Sequence, residues 1–428
     1  MSARALLAAL HAAALEAVHA GRALERALEA DDPGAGPFLL LAAGKAGCAM
    51  AEAAISVLGP RIVDGAVTTK DGHARGIRGL EVREAAHPLP DARSQAAAND
   101  ALARAGAPGR AEQLIVLISG GASALWCAPA AGITLAEKRA LTETLLRSGM
   151  AIGEVNAVRK HVSSIKGGGL VRAAAGRRVR VYAVSDVPGD ALSEIGSGPA
   201  SPDPTRFRDA LDVLHAHRVE HGLAPSVRAH LERGASGKIE ETTKPDDALA
   251  ALCEGRVVAS LDDALAAVLR GAEARGLRSR SLGRALDADV ADLAPRLAVE
   301  VRRARANGLD LLVAGGEPTV TVRGSGRGGR AQELAVRLAL ELANEPGWTA
   351  LSAGTDGSDG PTDAAGAWAD PESLARAGAL GFEPRSRLAA SDVYPMLDAA
   401  GDLFRTGPTQ TNVADLLLVR VQPGSSVD

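Results

Sequence analysis

The sequence predicts a two-domain α/β protein, and three observations carry that expectation. The chain has 428 residues, more than one hydrophobic core ordinarily serves. Its composition, 46% hydrophobic and 23% charged, is that of a globular protein rather than a disordered one. From Pro37 onward, short apolar runs without a polar face alternate with helical stretches. That rhythm describes strands of a parallel sheet covered by helices on both sides.

The first segment is rich in Ala and Leu, but His11, Glu16, His19, Arg22 and Glu25 interrupt it at helical spacing. It reads as a docking helix with an apolar stripe, not as a cleaved leader. Strands are expected at 38–43, 67–69, 114–119 and 179–184, with a helix over 46–58. Residues 232–246 are charged, poor in apolar side chains and contain Pro245. This stretch is the expected linker, dividing the chain into domains 1–240 and 241–428. Beyond it come strands at 257–260, 277–282, 311–314, 319–322, 350–353 and 416–421, with a helix over 262–275.

Several partner classes are excluded. The net charge is −4, acidic and basic residues are interleaved, and aromatics make up 2%. There is no basic stripe and little to stack on bases, so no nucleic acid is expected. No apolar run is long enough to span a bilayer, so no membrane is expected either. Cys48, Cys127 and Cys253 are isolated, which argues against a disulfide framework or a metal–thiolate site and for a reducing cytoplasm.

In open parallel sheets, ligands bind at the carboxyl ends of the strands, so the residues after each run matter most. Lys45 follows the first strand at a turn into a helix, where lysine and helix N-terminus together attract phosphate or carboxylate. A surface lysine after a turn is the simpler alternative. Ser119, Gly120, Gly121 and Ser123 close the strongest strand. Two glycines let a ligand approach backbone N–H groups, and two serines add donors, although a tight turn without a ligand also uses Gly-Gly. Lys160 and Lys166 end a helix whose dipole alone would explain them. Asp186 and Asp190 lie in a long polar loop after a strand and offer hard oxygen ligands suited to Mg²⁺.

Farther on, Glu317 precedes an expected strand, and G-S-G-R-G-G at 324–329 fits G-x-G-x-x-G. A dinucleotide site is one reading. Arg327 and Arg330 favour anion clamping instead. Thr355 and Asp356 open an Asp- and Gly-rich loop at 354–363, where Mg²⁺, substrate hydroxyls or a solvated turn are the alternatives.

Together these segments resemble the MOFRL-type, class II glycerate 2-kinases. The likeness runs through A-A-G-K-A (42–46), H-P-L-P-D (87–91), I-S-G-G-A-S-A-L (118–125), N-A-V-R-K-H-V-S-S-I-K-G-G (156–168), S-D-V-P-G-D (185–190), I-G-S-G-P (195–199), G-G-E-P-T-V (315–320), G-R-G-G-R-A-Q-E-L (326–334) and G-T-D-G-S-D-G-P-T-D-A-A-G (354–366). It implies an N-terminal Rossmann-like doubly wound domain, a smaller C-terminal α/β domain and an active site in the interdomain cleft. It also implies ATP with Mg²⁺, and D-glycerate as the phosphoryl acceptor.

On that basis Lys45 and Arg330 are expected to bind the transferring phosphate and the substrate carboxylate. Asp186 is expected to hold Mg²⁺ or orient the attacking hydroxyl, with Asp190 and Asp356 next, and Arg327 to assist on nucleotide phosphates. Ser119, Gly120, Gly121, Ser123, Lys160, Lys166, Glu317 and Thr355 complete the binding set. Members have also carried the label hydroxypyruvate reductase, which leaves NAD(P)H-dependent reduction as an alternative. A non-catalytic sugar-acid or nucleotide sensor is another. Ala331 stands where the family pattern has Asn.

Overall fold

Phe38–Ala43 (β1) is buried at every position, and both faces of this strand meet apolar side chains. It pairs in parallel with Ile62–Lys70 (β2) on one side and Gln113–Ile118 (β4) on the other. Glu81–Ala85 (β3) extends the sheet beyond β2, and Arg178–Val184 (β5) beyond β4, again in parallel. Cys253–Ala259 (β6) completes the order β3-β2-β1-β4-β5-β6. These positions come from a computed structural model, which describes residues 1–109 and 111–422. The order reverses between β1 and β4, so a doubly wound sheet has its crevice at the carboxyl ends of those two strands.

Leu39, Leu41, Leu114, Val116, Val179 and Val181 form the centre of the apolar layer on one side of this sheet. A satellite cluster around Leu145, Val158, Phe207 and Leu231 packs the helices Ile152–His161, Phe207–Ala216 and Pro225–Ala235 together.

The second sheet follows the order β11-β10-β9-β12-β8-β7. Its strands are Ser279–Ser281 (β7), Leu311–Gly316 (β8), Trp348–Gly354 (β9), Gly366–Ala369 (β10), Leu403–Phe404 (β11) and Asp415–Val421 (β12). Only β7 and β8 run parallel. β12 inserts antiparallel between β8 and β9. The apolar runs fit a parallel sheet equally well, because burial on both faces looks the same in either direction.

Two sequence expectations are corrected. Residues 319–322 form no strand: Val322 is 70% exposed, and Thr319 makes only an isolated bridge to Asp289. The 232–246 stretch is no loose linker. Its first residues finish the helix Pro225–Ala235, and Thr243 is fully buried, bonded to Gly167 and Gly168 and to the backbone of Asp203. Within it Lys244 meets Glu241 at 3.2 Å. The chain groups into Ala20–Val258 and a discontinuous unit of Met1–His19 with Ala259–Asp428. β6 belongs to the first sheet.

The docking helix is Ala3–Ala17, and it belongs to the discontinuous unit. Leu7, Leu10 and Ala14 are fully buried, Arg4 reaches Asp370 and Asp402 at 2.6 Å each, and Thr411 bonds the Val18 carbonyl. His11 does not interrupt its apolar face. It is buried, edge-on to Phe404 at 5.2 Å, and desolvation lowers its pKa to about 4, so it packs as a neutral ring.

Candidate active site

In the unit Ala20–Val258, the loops after β1 and β4 interlock. The Lys45 N–H donates to the Gly120 carbonyl at 2.9 Å, and the Ser119 N–H to the Ala43 carbonyl at 3.0 Å. Ser119 Oγ accepts from the Ala46 N–H at 3.0 Å, so that hydroxyl anchors the turn. Gly44 has φ +136°, and a Cβ there would meet Ser119 Oγ at 2.0 Å. Only glycine lets the two loops approach this closely.

Gly121 has φ +88°. A Cβ on it would stand 3.2 Å from the His87 ring and 3.5 Å from Lys45 Cγ. The Lys45 chain and the His87 imidazole therefore flank the Gly-Gly turn. Among the described residues, the N–H groups of Gly120 and Gly121 donate to no backbone carbonyl. Two amide donors without a backbone acceptor, beside a lysine chain at the switch point, are the chemistry an anion site would use. His87 was not singled out from the sequence, since a lone histidine in a turn carries little signal. Its one marker is the H-P-L-P-D segment.

Lys166 lies behind this turn, 2% exposed. Its Nζ donates to the Ser123 carbonyl and hydroxyl at 2.8 and 2.9 Å and to the Gly196 carbonyl at 3.3 Å. Burial, helped by the positive charges of Arg159 and Lys138, pushes its pKa well below the ordinary lysine value. Ser123 Oγ lies 2.9 Å from Ser197 Oγ, which bonds Asn156. Lys160 is fully buried and spent on Glu194 at 2.7 Å and Asp203 at 3.3 Å. It ties the helix Ile152–His161 to its surroundings and presents no charge to a ligand. Asp186 and Asp190 follow β5, both partly exposed, and Asp190 has φ +54°.

In the unit Met1–His19 with Ala259–Asp428, Arg330 opens the helix Arg330–Glu341. It grips Asp415 with Nε and Nη2 at 2.8 and 3.0 Å and reaches Glu317 at 3.4 Å. Burial opposes its charge, but the two carboxylates outweigh that and raise its pKa above the ordinary arginine value. Arg330 is thus held charged and fixed in orientation, through a partner 85 residues away that no local motif announces.

Asp359 was also missed. It is 3% exposed and accepts from the N–H groups of Ala331 and Gln332 at 3.1 and 2.8 Å, capping that helix from outside. A Cβ on Gly329 would lie 2.2 Å from its carboxyl carbon. Burial first, then the charge of Asp415, raises Asp359 to about 7. Ala331 takes part through its backbone, so the missing Asn side chain leaves this contact intact.

The other expected residues of this unit serve mainly to build loops. The Thr355 hydroxyl donates to the Ala414 carbonyl and accepts from the Val413 N–H. Asp356 caps Ser358 at 2.9 Å. The Arg327 guanidinium stacks 4.3 Å over the Tyr394 ring. The G-x-G-x-x-G glycines are used in packing: a Cβ on Gly324 would meet Ala390 at 2.4 Å, and one on Gly326 would meet Asp392 at 2.3 Å. Among the described residues, no group of three or more His, Cys, Asp or Glu side chains is arranged to hold a metal ion.

Two family models match successive parts of the chain. A model described as a domain of unknown function (DUF4147) matches residues 6–232, and the MOFRL family model matches residues 310–415. A protein of Agrobacterium vitis named "Putative hydroxypyruvate reductase" is 40% identical over 394 residues, covering 90% of this chain and 87% of that one. The glycerate 2-kinase of Pyrococcus horikoshii is 35% identical over 392 residues, covering 90% and 88%. The crystal structure of a glycerate kinase (EC 2.7.1.31) from Thermotoga maritima superposes with a TM-score of 0.83 at 34% identity, covering 97% and 98%.

Proposed function

Because the chain belongs to the MOFRL-type glycerate 2-kinase family, we propose that it transfers the γ-phosphoryl group of ATP to the 2-hydroxyl of D-glycerate. The products are 2-phospho-D-glycerate and ADP. The hydroxyl oxygen forms the new P–O bond, the bond to ADP breaks and the hydroxyl proton is released to solvent.

One observation carries the reading at the level of residues. Lys45 flanks two free amide donors, Gly120 and Gly121, where the doubly wound sheet opens. Phosphoryl transfer asks mainly for positioning and for neutralisation of developing negative charge, and this cradle supplies both. Lys45 is assigned to the transferring phosphate. Arg330, already held by Asp415 and Glu317, is assigned as a pre-oriented cation that shares its outer face with an anionic group of the substrates.

Mg²⁺ enters as the partner of the nucleotide. A magnesium ion held by one or two carboxylates together with phosphates needs no protein cage, and Asp186 and Asp190, in the loop after β5, are the proposed pair. Three free cysteines support a reducing, cytoplasmic setting. No helix among the described residues is long and apolar enough to cross a membrane.

The name of the Agrobacterium vitis relative raises hydride transfer as a second reading. Against it, the glycines at 324–329 are filled by neighbouring protein, and the loop does not follow directly from a strand. One pair of assays separates the readings. Glycerate with MgATP is expected to release ADP, while hydroxypyruvate with NADH leaves the nicotinamide unchanged. The converse result replaces the kinase reading.

A further inference from the structure

The helix Ile152–His161 divides its charges by face. Asn156 and Lys160, one turn apart, share Glu194, so that side is matched. Arg159, about 100° round the helix from Lys160, makes no hydrogen bond or ion pair with any described residue. The residue as a whole is half-buried, burial works against its charge, and it lies within electrostatic range of Lys166 and Lys138.

Both lysines are nearly buried, at 2% and 3% exposure, and every acceptor they touch is neutral. Lys138 donates to the Ala128 carbonyl at 3.1 Å, and Lys166 to Ser123 and Gly196 as above. No carboxylate among the described residues acts on any of the three. Cys127 is the one neighbour that favours the charge of all three, and buried like charges without a carboxylate counter-ion are costly. The lysines can relieve part of that cost by losing a proton, and burial does bring Lys138 down to about 8. An arginine has no such escape. A persistent, half-buried arginine backed by two cations, with an N–H fork built for paired oxygens, is suited to receive an anion.

We propose that Arg159, backed by Lys138 and Lys166, binds an oxyanion of the substrates: the carboxylate of the hydroxy acid or a phosphate of the nucleotide. Lys166 links this receptor to the catalytic turn, since Ser123 lies two residues beyond Gly121. The proposal rests on the kinase reading only for its choice of ligand; the receptor itself rests on the three cations.

The test uses the full chain with Arg159→Gln and, to retain charge, Arg159→Lys. Steady-state rates are taken with glycerate and MgATP varied separately. Melting temperatures are measured with and without D-glycerate and inorganic phosphate, and the unliganded melt checks folding. Arg159→Gln is expected to raise one KM by about 10-fold or more, the scale of a lost charge-assisted hydrogen bond, with kcat changed less. Arg159→Lys is expected to recover part of that loss.

A rise confined to glycerate identifies the carboxylate, and a rise confined to MgATP identifies the phosphate. Two unchanged KM values overturn the proposal, as does a Gln variant that keeps the full anion-dependent melting shift. A wild-type chain that does not phosphorylate glycerate, yet loses its phosphate shift on Arg159→Gln, removes the kinase reading and leaves the receptor standing.

Discussion

Gly121 shows how one residue without a side chain can shape the candidate site. Its φ of +88° excludes most residues at little cost to glycine, and the space where its Cβ would stand is bounded by His87 and Lys45. Gly121→Ala is expected to lower stability by about 1–2 kcal/mol. It should also reduce kcat by about 10-fold by displacing the groups around the cradle. Thermal melts and kinetics on the same preparation check both. Lys45→Ala leaves the backbone interlock intact, so the expected result is a folded chain with a cooperative melt and kcat down by about 10²–10³-fold, the scale of losing one charged transition-state contact. Near-wild-type turnover would remove Lys45 from the chemistry. Lys45 and the Gly-Gly turn were legible in the sequence because each directly follows an apolar strand. His87, Asp415 and Arg159 were not, because their meaning depends on neighbours brought in by the fold.

At the scale of elements, the helix Arg330–Glu341 depends on a buried carboxylate from another loop. Asp359 is raised from 3.8 to about 7 by burial and by Asp415, so the folded chain holds a proton where the unfolded chain has lost it. The sign follows: this stabilisation is complete below 3.8 and is lost as pH rises through about 7. Asp359→Asn keeps an oxygen for capping and cannot ionise. The variant is expected to gain melting temperature relative to wild type as pH goes from 5 to 8, and a constant difference across that range would refute the assignment. The strands β1, β4, β5 and β12 were legible from their apolar runs. Segment 319–322 was not, because a short apolar stretch does not reveal whether anything will cover it. Nor was Thr243 legible as buried, since its contacts with Gly167 and Gly168 span more than seventy residues.

At the scale of the whole molecule, the chain begins in one unit, builds the other, and then returns to complete the first. Composition and length pointed to two units, but no local pattern says that a segment at position 3 will pack against residues beyond 258. The consequence is testable by deleting residues 1–19. The deletion removes Leu7, Leu10 and Ala14 from burial and leaves Asp370 and Asp402 without Arg4. Each lost leucine alone is worth about 1.5–3 kcal/mol. The β7–β12 unit is therefore expected to become protease-sensitive, while fragments of Ala20–Val258 persist. Adding a peptide of residues 1–19 should restore resistance, and equal resistance without it would show that the helix is not needed for stability. The same helix has a pH signature opposite to that of Asp359. His11 is lowered from 6.5 to about 4 by burial, so its contribution is present above 6.5 and is lost as pH falls towards 4. In His11→Gln, which cannot gain that proton, the loss of melting temperature between pH 6.5 and 4 should be smaller than in wild type. Comparing His11→Gln with Asp359→Asn then separates two opposing slopes that partly cancel in the intact chain.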